Sequence, residues 1–246
     1  MKFAAFVLVF FFSITLASAQ EANVQEAMVY NALPGVDGTP GKNRIAMGTY
    51  DLRYEGVKGS RYFLEEWLNG QLVFVKENTK APKMVPLKYD THRKELLFKR
   101  TVGDSIVVNP DQITGFVIND TKNSISYPFI KVDGLRTEGG VVPVTYLLVL
   151  YKSKTSLLKH VSKMMQKANY QGAYSVDRRY DSYLDNSEYY LKKPDGSLNR
   201  VKLKKNSVLN ALEDKKDAIE AFIKKEELAL KSEYELVRIV DYYNSL

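Results

Sequence analysis

The chain has 246 residues and no cysteine, and 36 Lys and Arg stand against 29 Asp and Glu for a formal charge of +7. The missing cysteine excludes disulfides, thiol catalysis and every Cys-based metal site, so stability must come from a packed core, which a chain this long can bury in one domain or two small ones. The basic excess is modest and interleaved with acids; it fits a soluble surface, or contact with an envelope protein or an anionic polymer, better than nucleic acid.

Residues 1–19 read as a secretory signal peptide. Lys2 precedes an apolar run from Phe3 to Leu16, and Ala17-Ser18-Ala19 then supplies the small-x-small pattern of a cleavage site. The apolar run is shorter than the roughly 20 residues of a spanning helix. The mature chain is therefore expected to begin at Gln20, with a secreted or periplasmic location and no later membrane span. Export without cysteine leans toward a bacterial envelope. Residues 20–48 hold Pro34-Gly35, Asp37-Gly38 and Pro40-Gly41 with little periodicity, as in a mobile leader.

From Thr49 the pattern changes. Tyr50, Leu52 and Tyr54 alternate with polar residues, the period of a half-buried strand. Short apolar runs follow at Leu72–Val75, Met84–Tyr89, Glu95–Lys99, Ser105–Val108, Ile113–Ile118, Ile125–Val132 and Val142–Tyr151. Turn residues lie between them at Asn69-Gly70, Gly103-Asp104, Asn109-Pro110, Asn119-Asp120 and Asp133-Gly134. This spacing predicts an antiparallel sheet, as a curled sheet, barrel or sandwich, with Val144–Tyr151 as a central strand buried on both faces. Residues 156–167 fit helix or strand: Leu157, Leu158, Val161, Met164 and Met165 have helical spacing in a β context. Residues 169–187, with tyrosines among polar residues, read as an irregular connection. Lys193-Pro194-Asp195-Gly196 predicts a tight turn joining strands at 188–193 and 197–203. Helices follow. Ser207 is placed to cap a first turn, Lys215–Leu228 carries an apolar stripe at Ile219, Phe222 and Ile223, and Ser232-Glu233-Tyr234-Glu235 matches a capping box. The predicted class is α+β: signal peptide 1–19, leader 20–48, β-rich domain 49–205 and C-terminal helical pair 206–246.

Two stretches carry a resemblance. Gly59-Ser60-Arg61-Tyr62 through Trp67, with Val85-Pro86-Leu87-Lys88-Tyr89 after it, resembles the opening of exported bacterial proteins of unknown function. The stretch from Lys204-Lys205-Asn206-Ser207 through Asp214-Lys215-Lys216 to Tyr242-Tyr243-Asn244 resembles their tail. The resemblance implies a secreted or periplasmic β-rich protein with a helical tail, and transfers no catalytic or binding residue.

Chemistry is sparse. His92 and His160 are the only histidines; they make neither a metal site nor a triad on sequence grounds. Glu65-Glu66 beside Trp67 suggests a sugar site, but adjacent residues in a strand face opposite ways. Gly139-Gly140 lacks the Lys and Ser/Thr of a phosphate loop, and Arg178-Arg179 interrupts the acids of Asp177–Asp185. No cofactor or metal is expected. Two surfaces remain. Arg200, Lys202 and Lys204 share one face of a strand, as a polymer-binding stripe or the solvated face of an edge strand. Tyr174, Tyr180 and Tyr183 belong to a tyrosine-rich stretch suited to contact, since tyrosine buries area while keeping a polar tip. The expected function is a non-catalytic envelope protein with a binding or structural role. The alternative is a carboxylate-dependent hydrolase acting on a cell-surface polymer, which needs two acids roughly 5–10 Å apart and one raised pKa.

Overall fold

A computed structural model describes residues 57–75, 83–167 and 180–246. The expectations for the signal peptide, the leader, the strand at Tyr50–Tyr54 and Tyr174 lie outside these residues. Eleven strands are described: β1 (Val57–Lys58), β2 (Leu68–Phe74), β3 (Val85–Asp90), β4 (Glu95–Lys99), β5 (Ser105–Val107), β6 (Ile113–Asp120), β7 (Ile125–Thr137), β8 (Gly140–Tyr151), β9 (Ser156–Gln166), β10 (Asp181–Lys192) and β11 (Leu198–Val201). Three helices follow, α1 (Lys205–Ala211), α2 (Lys216–Lys225) and α3 (Glu233–Ser245). The strands form one sheet in the order β1-β10-β9-β8-β7-β6-β2-β3-β4-β5, with β11 also on β10. Only β1 with β10 is parallel.

Aspartates close two of the hairpins. Asp90 Oδ1 accepts from the amides of His92 at 3.1 Å and Arg93 at 2.8 Å, and its other oxygen holds Arg61 Nε at 3.1 Å. Asp120 Oδ1 accepts from Lys122 at 3.0 Å and Asn123 at 3.1 Å. These acceptors satisfy turn amides that no ladder reaches.

The sheet curls. The Tyr89 and Tyr146 ring centroids are 5.8 Å apart although four ladders separate β3 from β8; a flat sheet would set those strands about 19 Å apart. Phe116 and Phe129 stack at 4.7 Å beside them. The same curl carries the β3–β4 turn to β9 and β10, where His92 Nδ1 lies 3.0 Å from the Lys163 carbonyl and the His92 ring meets Tyr183 edge-on.

The β7–β8 hairpin bends as well. Gly134 sits at φ +65°, a conformation open to glycine. Strict alternation would put Leu135 on the side of Phe129, but it packs with Leu147, Leu158 and Tyr190. Beyond this bend the hairpin tip lies over β9 and β10. The helices cover the opposite face of those strands, where Leu157, Leu191 and Val201 meet Val208, Leu212, Ile219, Leu236, Ile239 and Val240. Polar contacts fix α3 there: Glu233 binds Lys159 and the Tyr189 hydroxyl, and Asn244 exchanges hydrogen bonds with the backbone of Thr155.

The strands from β2 to β8, the Pro194-Asp195-Gly196 hairpin and the Ser232–Glu235 capping box match the sequence reading, while β8 is fully buried over Thr145–Leu148 and not along all of Val144–Tyr151. Residues 156–167 resolve as strand over Ser156–Gln166. Both faces of β9 are covered, so Leu157 and Leu158 are each buried on opposite sides, and adjacent apolar residues imitate a helical stripe. Residues 181–187, read as irregular connection, belong to β10; their pairing with β9 is a backbone property that exposed polar side chains concealed. Asn69-Gly70 is no turn but the interior of β2, and Asp133-Gly134 lies inside β7. Ser207 falls within α1 and accepts from the Lys202 amide instead of capping the helix. The helical tail has three helices in place of a pair.

Gly70 is required by close approach. A Cβ there would stand 2.3 Å from the Val117 carbonyl oxygen and 2.7 Å from Leu87 Cδ1. Gly70→Ala is expected to cost about 2 kcal/mol or more through overpacking, read from urea unfolding; a loss within about 0.5 kcal/mol, typical of an open surface site, would contradict the β2 placement.

Candidate functional site

An open groove of about 410 Å³ runs between the β4–β5 hairpin and the first half of β8. Leu96, Val107 and Val108 form one wall, Val141, Val142, Pro143 and Val144 the other, with Tyr146 at the base and Arg93, Lys94 and Glu95 at the β3–β4 end. The groove exists because β9 pairs with β8 only at Leu148–Tyr151, so the earlier residues of β8 leave that ladder and turn toward β4 and β5. Val141 is 65 % exposed and Val107 49 %. Solvent therefore reaches β-branched side chains on both walls. The volume lies within the range of small-ligand sites.

The basic stripe has a different setting. β11 ends at Val201, so Arg200 lies in the strand, Lys202 just past it and Lys204 at the start of α1. Arg200 bonds Glu188 Oε1 at 2.9 Å and lies 3.3 Å from Glu138 Oε2; Lys202 Nζ lies 3.3 Å from Glu138 Oε1. The structure thus brings Arg200 and Lys202 together on two acids and leaves Lys204 apart from them. Around Glu188 the bonding is dense. Its Oε1 also accepts from the Glu138 amide at 2.8 Å, and the Tyr190 hydroxyl lies 3.1 Å from its Oε2 and 2.9 Å from the Arg136 carbonyl. His160, on β9 opposite Glu188, sits with Nδ1 3.6 Å from Glu188 Oε2. Neither ring nitrogen of His160 has a hydrogen-bond partner among the described residues, and the side chain is 3 % exposed.

The electrostatics follow from this arrangement. Burial pushes the Glu188 carboxyl up, but the Glu138 amide, Arg200 and Tyr190 outweigh it and hold the group below the ordinary glutamate range. Burial holds the His160 imidazole below its ordinary value, against the pull of Glu188 and with Lys94 adding repulsion. Glu188 is accordingly an anion at neutral pH, not the raised acid that a carboxylate-dependent hydrolase requires.

Sequence reasoning missed Glu138, Glu188 and Tyr190. A signal for part of the cluster was present: the Pro194-Asp195-Gly196 turn sets Tyr190 opposite Arg200, which places Glu188 diagonally on the same face. Tyr183 is occupied by its contact with His92, and Tyr180, half exposed, lies under Lys58 Nζ at 5.2 Å. Glu65 and Glu66 fall in a bend before β2, exposed, with Glu66 bound to Lys122. Trp67 is half-buried with Lys88 over its ring. Among the described residues no group of three His, Asp or Glu could hold a metal ion, and no helix is long and apolar enough to cross a membrane.

No family model, curated protein or solved structure matches the chain.

Replacing Arg200 by Met strips Glu188 of its cation and is expected to lower the melting temperature by several degrees, whereas Lys204→Ala leaves it nearly unchanged. Equal effects in a thermal-melt series would show that the three cations form one equivalent surface stripe.

Proposed function

We propose that the protein is a non-catalytic, exported envelope component with a binding or structural role, and that the valine-walled groove between β4–β5 and β8 is its contact surface. The observation that carries this reading is the exposure of Val107 and Val141 on facing walls of one groove. Apolar side chains gathered in a solvent-open trough gain about 25 cal/mol per Å² when a partner covers them. The occupant this chemistry suits is an apolar segment of an envelope partner. Export rests on the character of residues 1–19, and the cationic balance of the chain favours anionic surroundings.

Purified protein incubated with an envelope extract at low and high salt is expected to retain a discrete partner, and Val141→Asp to reduce that retention several-fold. Retention unchanged by Val141→Asp would remove the groove from the account. Release of new polymer fragments with nothing retained would replace binding with hydrolysis.

A further inference from the structure

The hairpin tip beyond Gly134 is held to β10 and β11 by a small set of bonds. The Arg136 carbonyl accepts from Tyr190, the Glu138 amide donates to Glu188, and the Glu138 carboxylate faces Arg200 and Lys202. Each of these bonds either uses Glu188 or adjoins it. Leu135 beneath the tip adds the apolar contact with Leu147, Leu158 and Tyr190. His160 lies next to this cluster, buried, with no hydrogen bond to either nitrogen.

A neutral imidazole is tolerable there. An imidazolium brings a full charge and a second donor into a space with one available counterion, Glu188. Glu188 Oε1 takes the Glu138 amide and Arg200, while Oε2 faces only the Tyr190 hydroxyl, whose single proton it shares with the Arg136 carbonyl. An imidazolium that draws Oε2 in from 3.6 Å shifts the rigid carboxylate and takes part of its charge from the Glu138 amide and Arg200 on Oε1, which weakens the hold. The charges acting on His160 work in both directions: Glu188 on β10 attracts it and Lys94 on the β3–β4 turn opposes it, with Arg200, Lys202 and Glu138 beyond Glu188.

We propose that the Glu138–Glu188–Arg200 cluster is an acid-sensitive latch, in which protonation of His160 loosens the grip of Glu188 and the β7–β8 tip swings away from β9 and β10. The direction of the pH dependence follows from linkage. In the closed form the ring binds its proton less readily than a free histidine, so the latch is fully closed above about pH 6.5 and weakens as pH falls below it. Each pKa unit of depression is worth about tenfold in the open-to-closed ratio at low pH. The tip also supplies Val141 and Val142 of the groove wall. If the groove is the binding surface, opening the latch dismantles it; that consequence rests on the reading of the groove above, whereas the latch itself does not.

Hydrogen exchange of the purified protein, without any partner, tests the latch directly. After correction for intrinsic rates, the Glu138 amide, which donates to Glu188, is expected to lose protection several-fold between about pH 7.5 and about pH 5, the window in which histidine charges, while β2 and β6 keep theirs. His160→Phe and His160→Asn, neither able to charge, are both prepared so that one failure to fold leaves a test standing, and each is expected to keep the tip protected in acid. The latch is overturned by a wild-type tip equally protected at both pH values, by the same acid loss in the variants, or by a loss spread evenly over β2 and β6. Because no partner is present, these outcomes are independent of whether the groove binds anything.

Discussion

Everything placed in this structure depends on the aromatic contact that closes the curl of the sheet. Tyr89, Phe116, Phe129 and Tyr146 come from β3, β6, β7 and β8, and each ring meets at least two of the others. Pairs of this kind contribute about 0.5–1.5 kcal/mol beyond the area they bury. The Tyr89 ring is completely enclosed, and burial pushes its hydroxyl up to about 12. With the curl in place, the β3–β4 turn reaches Lys163 and Tyr183, and β4 and β5 stand across from β8 to form the groove. Without it neither meeting occurs.

Strands β9 and β10 are the second constraint, because both of their faces are covered by different means. The helices take one face with a continuous apolar cluster. The β7–β8 tip takes the other with fewer apolar residues and a charged cluster at its margin. Apolar contact is indifferent to pH, whereas the tip depends on the charge state of Glu188 and, through it, of His160. The two coverings therefore differ in how they respond to acid, although they lie on the same strands.

The sheet was legible in the sequence where a short apolar run is bounded by turn residues, as at Glu95–Lys99 and Ile113–Ile118, which are buried on both faces. It was illegible where local rules yield to tertiary contact. Gly70 looks like a turn residue but is small because Val117 and Leu87 approach it, and Gly134 marks a bend inside a strand. Leu157 and Leu158 conceal a strand because each face of β9 has its own partner. Of the basic stripe, Arg200 and Lys202 stand together and Lys204 apart, and the acids facing Arg200 come from β10 and from a hairpin tip more than 60 residues away in sequence. No pattern along the chain connects Glu138 to Arg200; only the bend at Gly134 does.

The central claim is that the sheet curls until β3 touches β8, and a double-mutant cycle measures that contact in solution. Tyr89→Leu, Tyr146→Leu and the double variant would be compared with the wild type by urea unfolding. A curled sheet predicts a coupling energy of about 1 kcal/mol between the two rings. Additive losses, with coupling inside about 0.3 kcal/mol of zero, would mean that the rings do not meet and that the groove and the latch lose the geometry on which they rest.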